Sequence, residues 1–143
     1  EATTPEFKAY AARVVANAKA LGEALSGTGL RLVTGGTDNH MLVVDVTPRG
    51  VSGKQVSKAL DRAGIVCNFN SIPYDPRKPF DPSGIRIGAA AMASRGIGPD
   101  AMGQVAQWID AVVAAPDDTA VATRVRGEVE SFLAAFPAPG ISL

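Results

Sequence analysis

One cysteine, one histidine and one tryptophan are all that 143 residues hold of these types. The lone cysteine, Cys67, excludes an internal disulfide and suits a reducing compartment. The lone histidine, His40, excludes a histidine cluster of the kind that binds zinc. No apolar run is long enough to span a bilayer, and no signal-peptide or transit pattern is visible. Repeats and low-complexity tracts are missing too. So is any excess of charge: 14 basic residues balance 14 acidic ones. That balance gives no support for a nucleic-acid or membrane-surface partner, either of which calls for a basic patch. The chain also opens "EATTPEF" without an initiator methionine, and we read it as a piece of something longer.

What is present is ordinary for a globular domain: 46% hydrophobic and 20% charged residues, in a length sufficient for one core. Thr4-Pro5-Glu6 is a helix start, with a capping hydroxyl, a proline suited to the first turn and an acid at the positive end of the dipole. Phe7, Val14, Ala18, Leu21 and Leu25 follow at helical spacing until Gly27 and Gly29. Leu30–Thr34 and Met41–Val46 read as strands around the turn-rich "GGTDNH". "SGKQ", Ser52–Gln55, fits a capping box, and Val56, Ala59, Leu60 and Ala63 line the helix it begins. Ile65–Asn68 and "GIRIG", Gly84–Gly88, read as third and fourth strands. Pro99-Asp100 opens a helix with Met102, Val105, Ile109 and Val112 on one face. Pro116-Asp117-Asp118 breaks it. A last helix carries Val121, Val125, Val129, Phe132 and Phe136. The order α-β-β-α-β-loop-β-α-α predicts an α+β fold. Its small antiparallel or mixed sheet is covered by helices on one face, leaving the other free to dock.

The catalytic inventory is thin. Cys67 has no neighbour that would lower its pKa and reads as a small core residue. The glycines of "TGGTDNH" could cradle an anion, but a tight turn explains them better. Arg86 is different. Strand alternation points it away from the face chosen by Ile85 and Ile87. Gly84 and Gly88 on either side allow close approach, and a guanidinium fork grips a carboxylate with two parallel bonds. The plain alternative is a solvent-facing arginine on an edge strand. Before it runs "NSIPYDPRKPFDPS", with Pro73, Pro76, Pro79 and Pro82. Prolines fix φ and restrict the preceding residue, so this loop is stiff. It suits holding Asn70, Tyr74, Lys78 and Phe80 over a ligand, or serving simply as a well-ordered connector.

"TGGTDNHMLVVDV", "SGKQVSKAL" and "IVCNFNSIPYDPRKPFDPSGIRIGAAAMASRG" closely follow a family pattern: "SGGTDNH", a strand, "GK" and a helix, then "VNxNSxPxDPxxPFxxSGIRxGxxAxxxRG". The chain thereby resembles the small C-terminal domain of serine hydroxymethyltransferase, from about Pro5 to Phe136. The resemblance implies a transferase of one-carbon metabolism in the fold-type I pyridoxal-phosphate group. Such an enzyme interconverts serine plus tetrahydrofolate with glycine plus 5,10-methylenetetrahydrofolate, serves glycine and amino-acid biosynthesis, and is a cytoplasmic homodimer or dimer of dimers. Residues 1–143 would be a single C-terminal domain of a longer enzyme, with 1–29 a linking helix and 30–143 the sheet-and-helix domain. Arg86 would hold the substrate's α-carboxylate beside pyridoxal phosphate. Lys78, Pro79 and Phe80 would line the folate site and Asn70 would contact the pteridine. Arg95 matches a family arginine near the site, or serves only the helix entry. No metal is implied.

Departures are "TGG" for "SGG", Cys67 and Phe69 beside the asparagines, and "GAAAM" for "GTPA". The family's Schiff-base lysine, pyridinium-pairing aspartate, ring-stacking histidine and catalytic glutamate belong to a large domain whose motifs do not occur here. No catalytic residue is therefore assigned to this chain, which alone is expected to be inactive and to need that large domain as partner. Two other readings stay open. One is another fold-type I enzyme, an aminotransferase or glycine acyltransferase. The other is a stand-alone domain that senses amino acids or folates.

Overall fold

The computed structural model describes residues 1–140; the end of the expected domain, 141–143, lies outside the described residues. Helix α1, Pro5–Gly27, begins where the Thr4 hydroxyl accepts a hydrogen bond from the Phe7 amide at 3.3 Å. Its inner face buries Val14, Ala18, Leu21 and Leu25. Leu42 and Leu32 of the sheet come so close to Gly22 that a Cβ there would meet them at 3.2 and 3.4 Å. Although α1 is 23 residues long, no helix among the described residues is long and apolar enough to cross a membrane.

Strands β1, Arg31–Leu32, β2, Met41–Asp45, β3, Asn68–Asn70, and β4, Gly84–Gly88, form a four-stranded sheet in the order β1-β2-β4-β3. Every pairing is antiparallel, and the α+β expectation stands. Period-2 alternation decides which face is covered. Leu42, Val44, Ile85 and Ile87 are buried under the helices. Ile85 and Val44 are fully enclosed, a burial that contributes about 1.5–3 kcal/mol for each side chain. Met41, Val43, Arg86 and Asn68 lie on the open face, in rows that pair Val43 with Arg86 and Arg86 with Asn68. β4 sits inside the sheet, which corrects the edge-strand alternative for Arg86.

Helix α2, Gly53–Arg62, starts at Ser52, whose hydroxyl accepts from the Gln55 amide at 3.2 Å. Gln55 does not complete a capping box: its side chain donates to Asp117 at 2.8 Å. The third strand forms three residues later than the sequence predicts, because Ile65 closes the helix. The Ile65 amide donates to Leu60 O at 2.8 Å and the Gly64 amide to Asp61 O at 3.0 Å, with Gly64 at φ +79°. This is a Schellman closure. A short helix α3, Ala90–Ser94, went unpredicted in "GAAAMAS". Helices α4, Met102–Ala114, and α5, Thr119–Leu133, complete the covering layer. The predicted breaker at Asp118 is the cap of α5, accepting from the Ala120 amide at 2.8 Å.

Candidate functional site

Arg86 stands at the middle of an interior strand whose own position is fixed from below. Ile85 and Ile87, its neighbours on either side, are buried in the core. At the start of β4, α2 approaches so closely that a Cβ on Gly53 would lie 1.9 Å from the Gly84 carbonyl oxygen. The Gly53 amide donates to Pro82 O at 2.8 Å, tying the same helix end to the proline loop. On the open side, a Cβ on Gly84 would meet Asn70 O and the Ile72 side chain at 2.8 Å. The close approach expected at Gly84 is therefore real, but the chain's own loop makes it. Gly88 has no such neighbour, its nearest being His40 O at 3.7 Å.

The guanidinium itself is exposed. One long hydrogen bond, 3.4 Å to Asn68 Oδ1, is its polar contact, and it makes no ion pair among the described residues. Asp45, on the same sheet face, is spent elsewhere. It pairs with Arg31 and accepts from the Thr47 amide at 2.9 Å and hydroxyl at 2.6 Å. Burial pushes the Asp45 carboxyl up, but Thr47 and Arg31 outweigh it and hold it below the ordinary carboxylate value. The backbone of Arg86 is thus fixed by its interior strand, while its exposed guanidinium has no acidic partner among the described residues.

Asn70 lies two residues along β3 from Asn68, on the same face, half-buried, and donates to Ser71 O at 2.6 Å. The loop then departs over an open crevice of about 1130 Å³, lined by Met41 and Val43 of the sheet, Ser71 and Pro73 of the loop, and Lys19 and Thr37 opposite. Lys78 lies over the Phe80 ring, 5.8 Å from its centroid, and Phe80 remains 65% exposed. Arg86 and Asn70 are thereby brought to one face, with Lys78, Pro79 and Phe80 on the exposed loop between their strands. Arg95 is not among them. Its Nε donates to Phe136 O at 2.7 Å, and it lines an apolar cavity of about 360 Å³ with Ile87, Met92, Trp108 and Phe132, on the helix side of the sheet.

Two residues of this region stand in the quoted pattern, but their roles escaped the sequence reading. Asn68 is the cross-strand neighbour of Arg86; only the pairing register reveals it. Asp75 gathers the proline loop: its carboxylate accepts from the amides of Ile72 (3.2 Å), Arg77 (2.9 Å) and Ser83 (3.0 Å) and from the Ser83 hydroxyl (2.6 Å). Burial pushes this carboxyl up, yet Ser83, Arg77 and Ile72 together hold it well below the usual carboxylate range. Tyr74 just before it has φ 55°, a left-handed conformation that costs about 1–3 kcal/mol in a residue other than glycine. Single hydrogen bonds to a charged group contribute about 1.5–3 kcal/mol each, so a few of Asp75's bonds offset that strain. Cys67 is half-buried; burial pushes its thiol up to about 11, as expected of a residue with no nucleophilic role.

A serine hydroxymethyltransferase family model matches residues 1–109. The chain belongs to that family. It is 55% identical over its whole length to the serine hydroxymethyltransferase of Sorangium cellulosum, covering 34% of that protein. It is 55% identical to that of Acidothermus cellulolyticus, over 99% of this chain and 34% of the relative. Serine hydroxymethyltransferase 2 of Mesorhizobium japonicum is 51% identical, over 99% and 32%. The chain thus spans about a third of the length of the curated relatives it matches. An attached pyridoxal phosphate needs an enclosed lysine, and Lys8, Lys19, Lys54, Lys58 and Lys78 are all exposed or only half-buried. Among the described residues, then, Arg86 carries a guanidinium without an acidic partner, and no lysine is enclosed. Nor do three or more His, Cys, Asp or Glu side chains among them gather as a metal site.

Proposed function

We propose that this chain is the small C-terminal part of a serine hydroxymethyltransferase. The complete protein would interconvert serine plus tetrahydrofolate with glycine plus 5,10-methylenetetrahydrofolate. The observation that carries the reading is Arg86: a guanidinium on an interior strand, free of acidic partners among the described residues, beside two asparagines on an uncovered sheet face. In this role Arg86 grips the α-carboxylate of serine or glycine through two charge-assisted bonds. The loop from Asn70 to Phe80 forms the folate-side wall, with Asn70 donating or accepting at the pteridine edge and Phe80 and Lys78 against its face. Arg95 serves as a tie between α3 and the end of α5.

Pyridoxal phosphate, when bound, supplies the electron sink for the bonds broken at the amino acid. The large part of the protein would supply its lysine and ring-pairing acid, so the 143-residue chain alone would bind no cofactor productively and turn nothing over. Residues 1–29 as a linking helix, 30–143 as the sheet-and-helix domain, a homodimer or tetramer and a cytoplasmic location belong to the same reading.

The test is Asn70→Ala in the full-length protein, titrated separately with tetrahydrofolate and serine. Folate affinity should fall about 5- to 30-fold, as for one lost hydrogen bond of about 1–2 kcal/mol. Serine affinity should move less than twofold. Equal loss for both ligands would mean that the loop supports the fold in general and does not wall the folate site.

A further inference from the structure

We propose that Asp75 is the positioning residue of the folate-side wall: its carboxylate closes the proline loop on itself and so sets where Asn70, Lys78 and Phe80 are presented, without touching the ligand. This rests on the folate-side reading above. The prolines at 73, 76, 79 and 82 have no amide hydrogen, so the loop cannot knit itself by an ordinary ladder. Its internal backbone bonds are two turns, Asp75 N to Ile72 O at 3.1 Å and Asp81 N to Lys78 O at 2.9 Å. Prolines fix φ along each limb but do nothing to hold entry against exit.

Asp75 does that. Oδ2 bridges the amides of Ile72 at the entry and Ser83 at the exit, while Oδ1 takes the Arg77 amide and the Ser83 hydroxyl. Ser83 is fully buried and precedes β4 directly; its carbonyl accepts from the Val46 amide at 3.1 Å. The carboxylate therefore fastens an exposed loop to the strand that bears Arg86. Both oxygens are needed: four donors converge on them, and an asparagine would offer one oxygen and set an amide nitrogen against donors. The left-handed Tyr74, whose ring is wholly exposed, has no packing of its own to hold that backbone shape.

The experiment compares full-length wild type with Asp75→Asn, using hydrogen exchange over residues 71–83, tetrahydrofolate binding by calorimetry, and the KM for serine. Ser83→Ala, which removes one donor, is the second variant should Asp75→Asn fail to fold. Expected are at least tenfold faster exchange in the loop, about tenfold weaker folate binding and a serine KM within twofold; Ser83→Ala should show a smaller change of the same kind. Unchanged exchange overturns the proposal. So does an equal rise in both ligands' constants, which would make Asp75 a general support. Phe80→Ala separates the two layers of the reading. Faster exchange with undiminished folate binding overturns the positioning role if Phe80→Ala weakens folate. If Phe80→Ala and Asn70→Ala also leave folate untouched, the wall itself is refuted and Asp75's role falls with it.

Discussion

Replacing Arg86 by alanine separates the site from the scaffold. The side chain is exposed and its one hydrogen bond, to Asn68, is 3.4 Å long, so its loss should change folding stability by about 0.5 kcal/mol or less. Its carboxylate partner in the complete protein would be enclosed between the sheet face and the rest of the enzyme. Removing one side of a desolvated, hydrogen-bonded charge pair costs about 2–5 kcal/mol. At 1.36 kcal/mol per tenfold, that is on the order of 30- to 5,000-fold in kcat/KM for serine. Arg86→Lys keeps the charge but loses the planar fork, and should fall between wild type and alanine. The assay is steady-state turnover of the full-length variants with serine varied at saturating tetrahydrofolate, beside a thermal melt. A kcat/KM for serine within threefold of wild type, with the fold intact, would falsify the carboxylate assignment. A large drop in melting temperature would instead make Arg86 part of the scaffold.

Gly53→Ala should destabilise the chain by about 3 kcal/mol, the upper end for overpacking, since its Cβ falls 1.9 Å from backbone on β4; urea denaturation measures it, and a loss below 0.5 kcal/mol (roughly the surface-substitution scale) refutes the close contact. Acid should unfold the wild type more steeply than Asp45→Asn. Asp45's folded-state pKa lies below its ordinary 3.8, so the unfolded chain takes up the proton first and this contribution, full above about pH 4, is lost as pH falls through the folded value. Equal acid slopes for the two proteins would contradict that. Cys67, whose thiol burial pushes up from 9.0 to about 11, should react with a disulfide reagent at pH 8 at least roughly tenfold more slowly in folded than in unfolded protein; comparable rates would remove the burial argument.

Most of the architecture was legible because it obeys local rules. Caps at Thr4 and Ser52, helical spacing from Val14 to Leu25 and alternation through Ile85-Arg86-Ile87 each state their element without help from elsewhere. Errors arose where one residue had two possible partners. Ile65 and Val66 are β-branched and read as strand, but Ile65's amide was claimed by the preceding helix and Val66 was left 83% exposed. Gln55 could have closed its own cap and instead met Asp117, 62 positions away. The α3 run of alanines did carry a signal, high helix propensity stopped by Gly96, but so short a helix draws its stability from packing against α1 and from the Ile97 turn behind it.

The geometry of the candidate site was legible in the same uneven way, for a physical reason. Arg86 announces itself because a charge between two buried isoleucines has one place to go. Asn68 and Asp75 do not, since their meaning lies in pairings that no spacing encodes: register for the first, loop closure for the second. The loop displays Tyr74 and Phe80 to solvent, so burial cannot be what orders it. What remains is proline stiffness along the limbs and polar ties across them, the Asp75 carboxylate and the Arg77–Asp81 pair. Both reduce the number of shapes open to the loop before any ligand arrives, and a wall ordered in advance spends little of a ligand's binding energy on fixing itself. If the loop is the folate-side wall, a polar clasp would achieve this where an apolar one could not, because it leaves the aromatic side chains uncovered.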